Sequence, residues 1–174
     1  MDAVRLIVTS RRALAAGGGV PDLLTEVWQA QALAQAIGSR LALAGPPQLR
    51  DEATGLADLA GHGIGVLDRT PLDSGEPRAA RLTDLGDTRA CLMHLGGLLG
   101  DVGIALVGIA CAADDEAAYW SCVEAIDAAD EARDRVRDML RKLADREAAP
   151  PAGRQSDRPA WVPPPPAHRG QRTC

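Results

Sequence analysis

The stretch that decides the fold is residues 95–113, LGGLLGDVGIALVGIACAA. It holds nineteen residues with a single charge, at Asp101, and its length would allow a membrane span. However, a carboxylate at membrane depth costs about 3 kcal/mol. The uninterrupted apolar run, residues 102–113, is only twelve residues long, and five glycines dilute the hydrophobicity of the stretch. It therefore predicts a central helix of a soluble protein, buried on most sides by its neighbours.

The composition of the whole chain favours helices that pack closely. Of its 174 residues, 46% are hydrophobic but only 2% are aromatic, and Phe is absent. β-Sandwiches draw on β-branched and aromatic residues, so an all-α fold is predicted. The net charge of −5 argues against a nucleic-acid-binding surface that covers the domain. Lys142 is the single lysine, so Schiff-base or P-loop chemistry would have to use that position.

The helical spacing of apolar residues, together with the positions of cap residues, predicts five helices in the chain, one of which contains this stretch. The predicted ranges are 2–16, 21–44, 47–60, 78–112 and 115–147, with Asp114 as the cap of the last helix. The glycine-rich segment 61–65 is predicted to open a loop that reaches Pro77. The predicted architecture is all-α, a four- to five-helix up-down bundle with a long C-terminal antiparallel helical hairpin.

The predicted bundle domain covers residues 1–147, after which the composition changes. Residues 148–174 contain seven of the twelve prolines and show no periodicity, which predicts a disordered Pro-rich tail. The N-terminus does not read as a signal peptide, so we expect a cytoplasmic protein. Three cysteines, Cys91, Cys111 and Cys122, are then expected to be small buried thiols, whereas Cys174 would be exposed in the tail.

The sequence offers few candidates for a metal or a cofactor. A carboxylate-bridged di-iron site needs Glu-x-x-His on two helices, but none of the three histidines has a glutamate three positions before it. We therefore expect neither a metal nor a cofactor. The acidic series of the last predicted helix is interleaved with basic residues, which predicts the ion pairs Glu131–Arg135 and Asp138–Lys142 on a solvated face.

The few aromatic residues of the predicted bundle are candidates for contacts between helices or with a partner protein. Trp28, Tyr119 and Trp120 are almost the whole aromatic supply of the chain. They would anchor the junction of two helical hairpins, with their polar edges reaching solvent or glutamine. Alternatively they would form a partner-binding hot spot, because Trp and Tyr dominate such sites.

Glycines of the central stretch form a second candidate surface. Gly96, Gly100 and Gly103 fall on one helix face, at offsets of four and seven residues. Small residues at this spacing let another backbone approach closely. The approaching helix would come from the same chain or from a second copy.

Residues 89–94, RACLMH, are a third candidate. They resemble the Arg–His motif of the HEPN family, small helical bundles that include dimeric ribonucleases and partners of nucleotidyltransferases. The resemblance implies that Arg89 and His94 would face an RNA phosphate across a dimer cleft. A bundle with a long antiparallel hairpin agrees with that family's architecture.

Four stretches carry another resemblance: residues 1–7 (MDAVRLI), 28–37 (WQAQALAQAI), 102–108 (VGIALVG) and 124–130 (EAIDAAD). In this order they resemble an uncharacterised family of small α-helical proteins of high-GC actinobacteria, a domain of unknown function. The resemblance implies a helical domain over most of the chain except the tail. The family supplies no activity that could be carried over to this chain.

The sequence shows no convergent set of polar residues that would mark an active site. It therefore predicts a non-enzymatic, soluble helical-bundle protein, an interaction or regulatory module that binds an unidentified protein or itself, without a membrane or nucleic acid as partner. The alternative is a HEPN-like module that acts on RNA or pairs with a nucleotidyltransferase through Arg89 and His94. A third hypothesis is a bundle that binds a small ligand in a pocket near Trp120.

Overall fold

The computed structural model describes residues 1–67 and 76–148, and over these ranges it is helical, with no strand. The all-α prediction is confirmed. The predicted tail lies outside the described residues except for Ala148, and residues 68–75 of the predicted loop also lie outside them. The helices are α1 (Ala3–Ala16), α2 (Val20–Ala44), α3 (Arg50–Leu67), α4 (Thr88–Cys111) and α5 (Glu116–Ala148), with short 3-10 helices at Pro47–Leu49 and Arg78–Arg81.

Four helices form a ring in the order α2, α3, α5, α4, and each packs against its two neighbours. Neighbours in the ring are antiparallel. On the α3–α5 side, for example, Glu52 lies beside Arg135, whereas His62, further along α3, lies beside Glu124, earlier in α5. α1 packs against α2 and α4. The core is aliphatic, and its fully buried large side chains include Leu33, Ile37, Leu41, Leu56, Leu92, Leu95, Leu99, Leu106 and Met139.

Residues 76–87, here called the strap, run along α2 before α4 begins. At one end of the strap, Arg78 forms an ion pair with Glu26 of α2. At the other end, Arg40 of α2 donates hydrogen bonds to the backbone carbonyls of Leu82 and Thr83. The strap also holds α1, because the backbone N–H of Ala3 donates to the carbonyl of Asp84 at 3.0 Å.

The predicted end of the third helix at residue 60 is wrong, since α3 continues through the glycine-rich segment to Leu67. The reason is packing against α2. A Cβ atom on Gly61 would lie 2.7 Å from Nε2 of Gln35, and one on Gly63 would lie 2.8 Å from Nε2 of Gln31. The two glutamine side chains occupy the space that the glycines leave, and tertiary contacts of this kind override the low helix propensity of glycine.

Two other predicted helix starts also need correction. α4 begins at Thr88 and not at residue 78, because the carboxylate of Asp87 caps it by accepting from the backbone N–H of Ala90 at 2.6 Å. α5 is capped by Asp115 and not by Asp114. The Asp115 carboxylate accepts from the backbone N–H groups of residues 117 and 118, both at 3.1 Å.

α2 and α3 approach each other most closely at Gly38. A Cβ atom there would lie 2.9 Å from the carbonyl oxygen of Ala53 and 2.9 Å from the backbone nitrogen of Ala57. These are backbone atoms of a packed helix, so they cannot move aside without shifting α3. The glycine therefore sets the distance between the two helices.

We predict that Gly38→Ala lowers the free energy of unfolding by about 1–3 kcal/mol, because the added methyl group overpacks this contact. The matched control is Gly65→Ala in α3, where a Cβ atom would meet nothing within 4 Å. The control should gain about 0.5–1 kcal/mol from the better helix propensity of alanine. Urea denaturation followed by circular dichroism measures both. Equal stability of the two variants would contradict the close approach of α2 and α3.

Candidate functional site

α4 carries apolar residues on two opposite faces. Its inner face is buried in the ring through residues such as Leu95, Leu99 and Leu106. Its outer face leaves large apolar side chains in solvent: Ile104 is 75% exposed, Met93 62% and Val107 50%. No residue of the ranges 1–67 and 76–148 covers these three side chains, and monomeric proteins seldom leave large apolar surfaces in solvent without a use.

One line along the helix holds four exposed residues and two half-buried glycines, and we call this line the outer stripe. Its members are separated by alternating intervals of four and three residues. At 100° per residue they lie within about 80° of one another around the helix axis. The outer stripe consists of Met93, Gly97, Gly100, Ile104, Val107 and Cys111.

The three predicted glycines lie beside α5. A Cβ atom on Gly96 would be 3.5 Å from Cγ1 of Val136, and one on Gly103 would be 4.0 Å from the Asp130 carboxylate. Gly100 lies between them, and its Cβ atom would be 3.4 Å from the Arg133 guanidinium carbon. These three glycines therefore lie at ordinary van der Waals distances from side chains of α5, and Gly100 also belongs to the outer stripe.

Charged residues border the outer stripe on both sides. On the α1 side, Arg11 donates from Nε to the carboxylate of Asp101 at 2.5 Å, and its guanidinium lies against Gly97. This hydrogen bond raises the pKa of Arg11 further above its usual value. On the α5 side lie Arg133 and Asp130, and neither forms an ion pair within residues 1–67 and 76–148. A groove of about 470 Å³ runs along the stripe between these borders.

The structure does not bring Arg89 and His94 together. Five residues of an α-helix correspond to a rotation of about 140°, so the two side chains leave α4 in different directions. Arg89 donates to the carboxylate of Glu147 on α5 at 2.8 Å. His94 is half-buried and lines a groove of about 570 Å³ between α1 and α4, together with Leu14 and Leu23.

The three predicted aromatic residues lie on α2 and at the start of α5. Tyr119 and Trp120 are exposed and pack edge to face, with their ring centroids 5.4 Å apart. Trp28 is half-buried on α2. A cavity of about 370 Å³ lies near the start of α5 and is lined by residues such as Ile109 and Cys122, but Trp120 is not among its lining residues.

The thiols differ in accessibility. Cys91 and Cys122 are buried as predicted, and burial raises the pKa of the Cys91 thiol to about 12 and also raises that of Cys122. The prediction of burial is wrong for Cys111, which is exposed because it lies on the outer stripe. Among the described residues, no group of three or more His, Cys, Asp or Glu side chains could hold a metal ion.

Two cations on α5 hold one carboxylate on α3. Glu52 accepts from Arg135 at 2.9 Å and from Lys142 at 3.2 Å. The predicted pair Glu131–Arg135 forms at 3.7 Å, but the predicted pair Asp138–Lys142 is wrong. Asp138 pairs with Arg141 instead, because Lys142 reaches across to the less exposed carboxylate of Glu52. The single lysine therefore has a structural contact.

A family model matches residues 1–142, from the first residue to α5. The chain belongs to a family of unknown function (DUF6099). The predicted resemblance to a domain of unknown function is confirmed. No curated protein and no solved structure matches this DUF6099 chain, so its surface has to be interpreted from its own residues.

α4 is also long and apolar enough to cross a membrane, as core helices of soluble proteins are. Among the helices of the described ranges it alone meets both conditions. Its inner face is buried against α5, α1 and α2, which is compatible with a soluble protein. Within the same ranges its outer face leaves Met93, Ile104 and Val107 in solvent.

We predict that acid weakens the contact between α3 and α5. Hydrogen bonds from Arg135 and then from Lys142 lower the pKa of Glu52 below its usual 4.5. A carboxylate with a lowered folded-state pKa stabilises the fold above its unfolded-state pKa, and this contribution is lost as the pH falls through the folded-state pKa. At neutral pH, Glu52→Gln should cost about 1–2 kcal/mol, since both donors are partly exposed.

Thermal unfolding measured from pH 7 to pH 3 tests this prediction. The wild-type protein should lose its advantage over Glu52→Gln as the pH drops below about 4.5. Asp51→Asn is the matched control, because Asp51 is exposed in the same helical turn. A wild-type advantage that persists unchanged at pH 3 would show that Glu52 does not hold the two helices together.

Proposed function

We propose that this protein is a non-enzymatic, cytoplasmic interaction module whose binding surface is the outer stripe of α4. The observation that carries the proposal is the line of large apolar side chains that α4 leaves in solvent although the rest of the helix is packed. Burying a Val, Ile or Met side chain is worth about 1.5–3 kcal/mol, so Met93, Ile104 and Val107 together represent a large unused binding energy.

The glycines of the outer stripe support the same proposal. A glycine inside a helix costs about 1 kcal/mol relative to alanine. Gly97 and Gly100 carry this cost although no turn requires a glycine at either position, because both lie in the middle of α4. The flexible guanidinium groups of Arg11 and Arg133 lie over these two glycines, and another helix could pack there at short distance once they swing aside.

The charges around the outer stripe favour a protein partner over a lipid surface. Helices that lie on membranes carry mainly Lys and Arg beside their apolar face. Here the border contains two cations, Arg11 and Arg133, and two anions, Asp101 and Asp130. A mixed polar rim around an apolar centre is the usual composition of a protein–protein interface.

The HEPN-like alternative stays a prediction without support from the geometry. It needs Arg89 and His94 on one surface, and about 140° of helix rotation separates them. Arg89 is also engaged by Glu147.

Site-specific photo-crosslinking in cells that express the protein naturally tests the proposal. A benzophenone amino acid replaces Ile104 in one strain and Leu43, on α2, in another. Leu43 is the matched control because it is a similar aliphatic residue that is 84% exposed and does not belong to the outer stripe. After irradiation we expect a protein adduct of the chain from position 104 and none from position 43, because only the outer stripe would be covered by a partner.

Three results would contradict the proposal. Position 104 could yield no adduct although the chain accumulates normally. It could yield adducts with lipid alone, which would make the outer stripe a membrane surface. A third probe at Trp120, in the exposed aromatic pair, could be the position that yields adducts, which would move the binding surface to the start of α5.

A further inference from the structure

We infer that the partner of the outer stripe is the outer stripe of a second copy of this chain, packed antiparallel to the first. The inference rests on the proposed function, because it names the occupant of the same surface. Two independent features of the described residues carry it: the order of large and small residues along the stripe, and the charges of α5 that border it.

The stripe is complementary to itself when it is reversed. A two-fold axis beside Val102 places Met93 level with Cys111 of the second copy, and each glycine level with a β-branched side chain. Val107 then lies level with Gly97 and Ile104 level with Gly100, where the flexible guanidinium groups of Arg11 and Arg133 have to swing aside to admit them. The alternating intervals of four and three residues keep this seam continuous along the helix, as in coiled coils. A parallel pair would instead set glycine against glycine and Ile104 against Ile104, which leaves gaps beside overcrowded positions.

The charges agree with the same axis. In an antiparallel two-fold pair, α5 of each copy lies on the same side of the paired α4 helices. Arg133 is level with Gly100, and Asp130 is level with Gly103. The same two-fold axis therefore brings Arg133 of one copy level with Asp130 of the second copy. Because of the two-fold symmetry, this pair occurs twice in the dimer. Within residues 1–67 and 76–148, both side chains are free to form these pairs.

The size of the surface sets the expected strength. From Met93 to Cys111 the stripe is about 27 Å long at 1.5 Å per residue. With the borders supplied by α1 and α5 at interaxial distances of 8–10 Å, each copy would bury roughly 500 Å². The total of about 1,000 Å² is at the lower end for a specific interface. We therefore expect a dimer that forms at concentrations on the order of 10–100 μM.

Sedimentation of the purified full chain at increasing concentration tests the inference. The wild-type protein should reach twice the chain mass of 18.2 kDa. Ile104→Asp should remain monomeric, because it puts a carboxylate into the centre of the seam. Leu43→Asp is the control and should dimerise as the wild type does, since Leu43 lies on α2. Circular dichroism verifies that each variant is folded.

A charge exchange tests the antiparallel register. Arg133→Asp alone sets two acids against each other in each pair, and Asp130→Arg alone sets two arginines against each other. Each variant should show at least a tenfold weaker self-association than the wild type. An equimolar mixture of the two variants should dimerise again, because every facing pair in the mixed dimer is opposite in charge. This recovery also shows that neither substitution unfolds the chain.

The outcomes separate the inference from the proposed function. A wild-type protein that stays monomeric at several hundred μM, together with an adduct to a different protein from position 104, would overturn the inference and leave the proposed function in place. A dimer that Ile104→Asp does not weaken would use another face and would also overturn it. Ile104→Asp could abolish the dimer while the mixture of the two charge variants fails to dimerise. That result would overturn the antiparallel register.

Discussion

The structure depends on helices that approach one another at backbone distance. A core with almost no aromatic residues cannot fill wide spaces between helices, so the spaces have to be narrow. Gly38 brings α2 within contact of the α3 backbone, and Gly63 makes room for the buried side chain of Gln31. Each glycine weakens its own helix, and each is compensated by the packing of the neighbouring helix. These contacts join α2 to α3 within the ring of α2, α3, α5 and α4.

This close packing explains why α4 combines an apolar inner face with many glycines. A helix at such a close-packed position is apolar on its inner face and rich in glycine where α5 lies against it, so its composition resembles that of a membrane span. The bundle covers only part of it. The outer stripe sets exposed apolar side chains beside two half-buried glycines. We propose that this stripe is the binding surface of the protein and that it pairs with a reversed copy of itself.

The charged residues divide between stabilising the fold and bordering this surface. Glu52 is held by Arg135 and Lys142, which fastens α3 to α5 on the far side of the ring. Arg11 and Asp101 pair beside the outer stripe. Prediction of ion pairs from spacing succeeded for Glu131–Arg135, because i and i+4 neighbours meet on any helix. It failed for Lys142, whose partner lies 90 residues away in the chain.

The sequence by itself determined the all-α class, the number of helices and the family, because periodicity, caps and composition act locally. Only the tertiary structure decided that residues 61–67 are helical, since the glutamines that fill the glycine spaces come from α2. It also decided which residues of α4 face solvent. An almost uniformly apolar helix has no polar side that would indicate its orientation in advance, so the exposure of Ile104, Val107 and Cys111 follows from where α1, α2 and α5 lie.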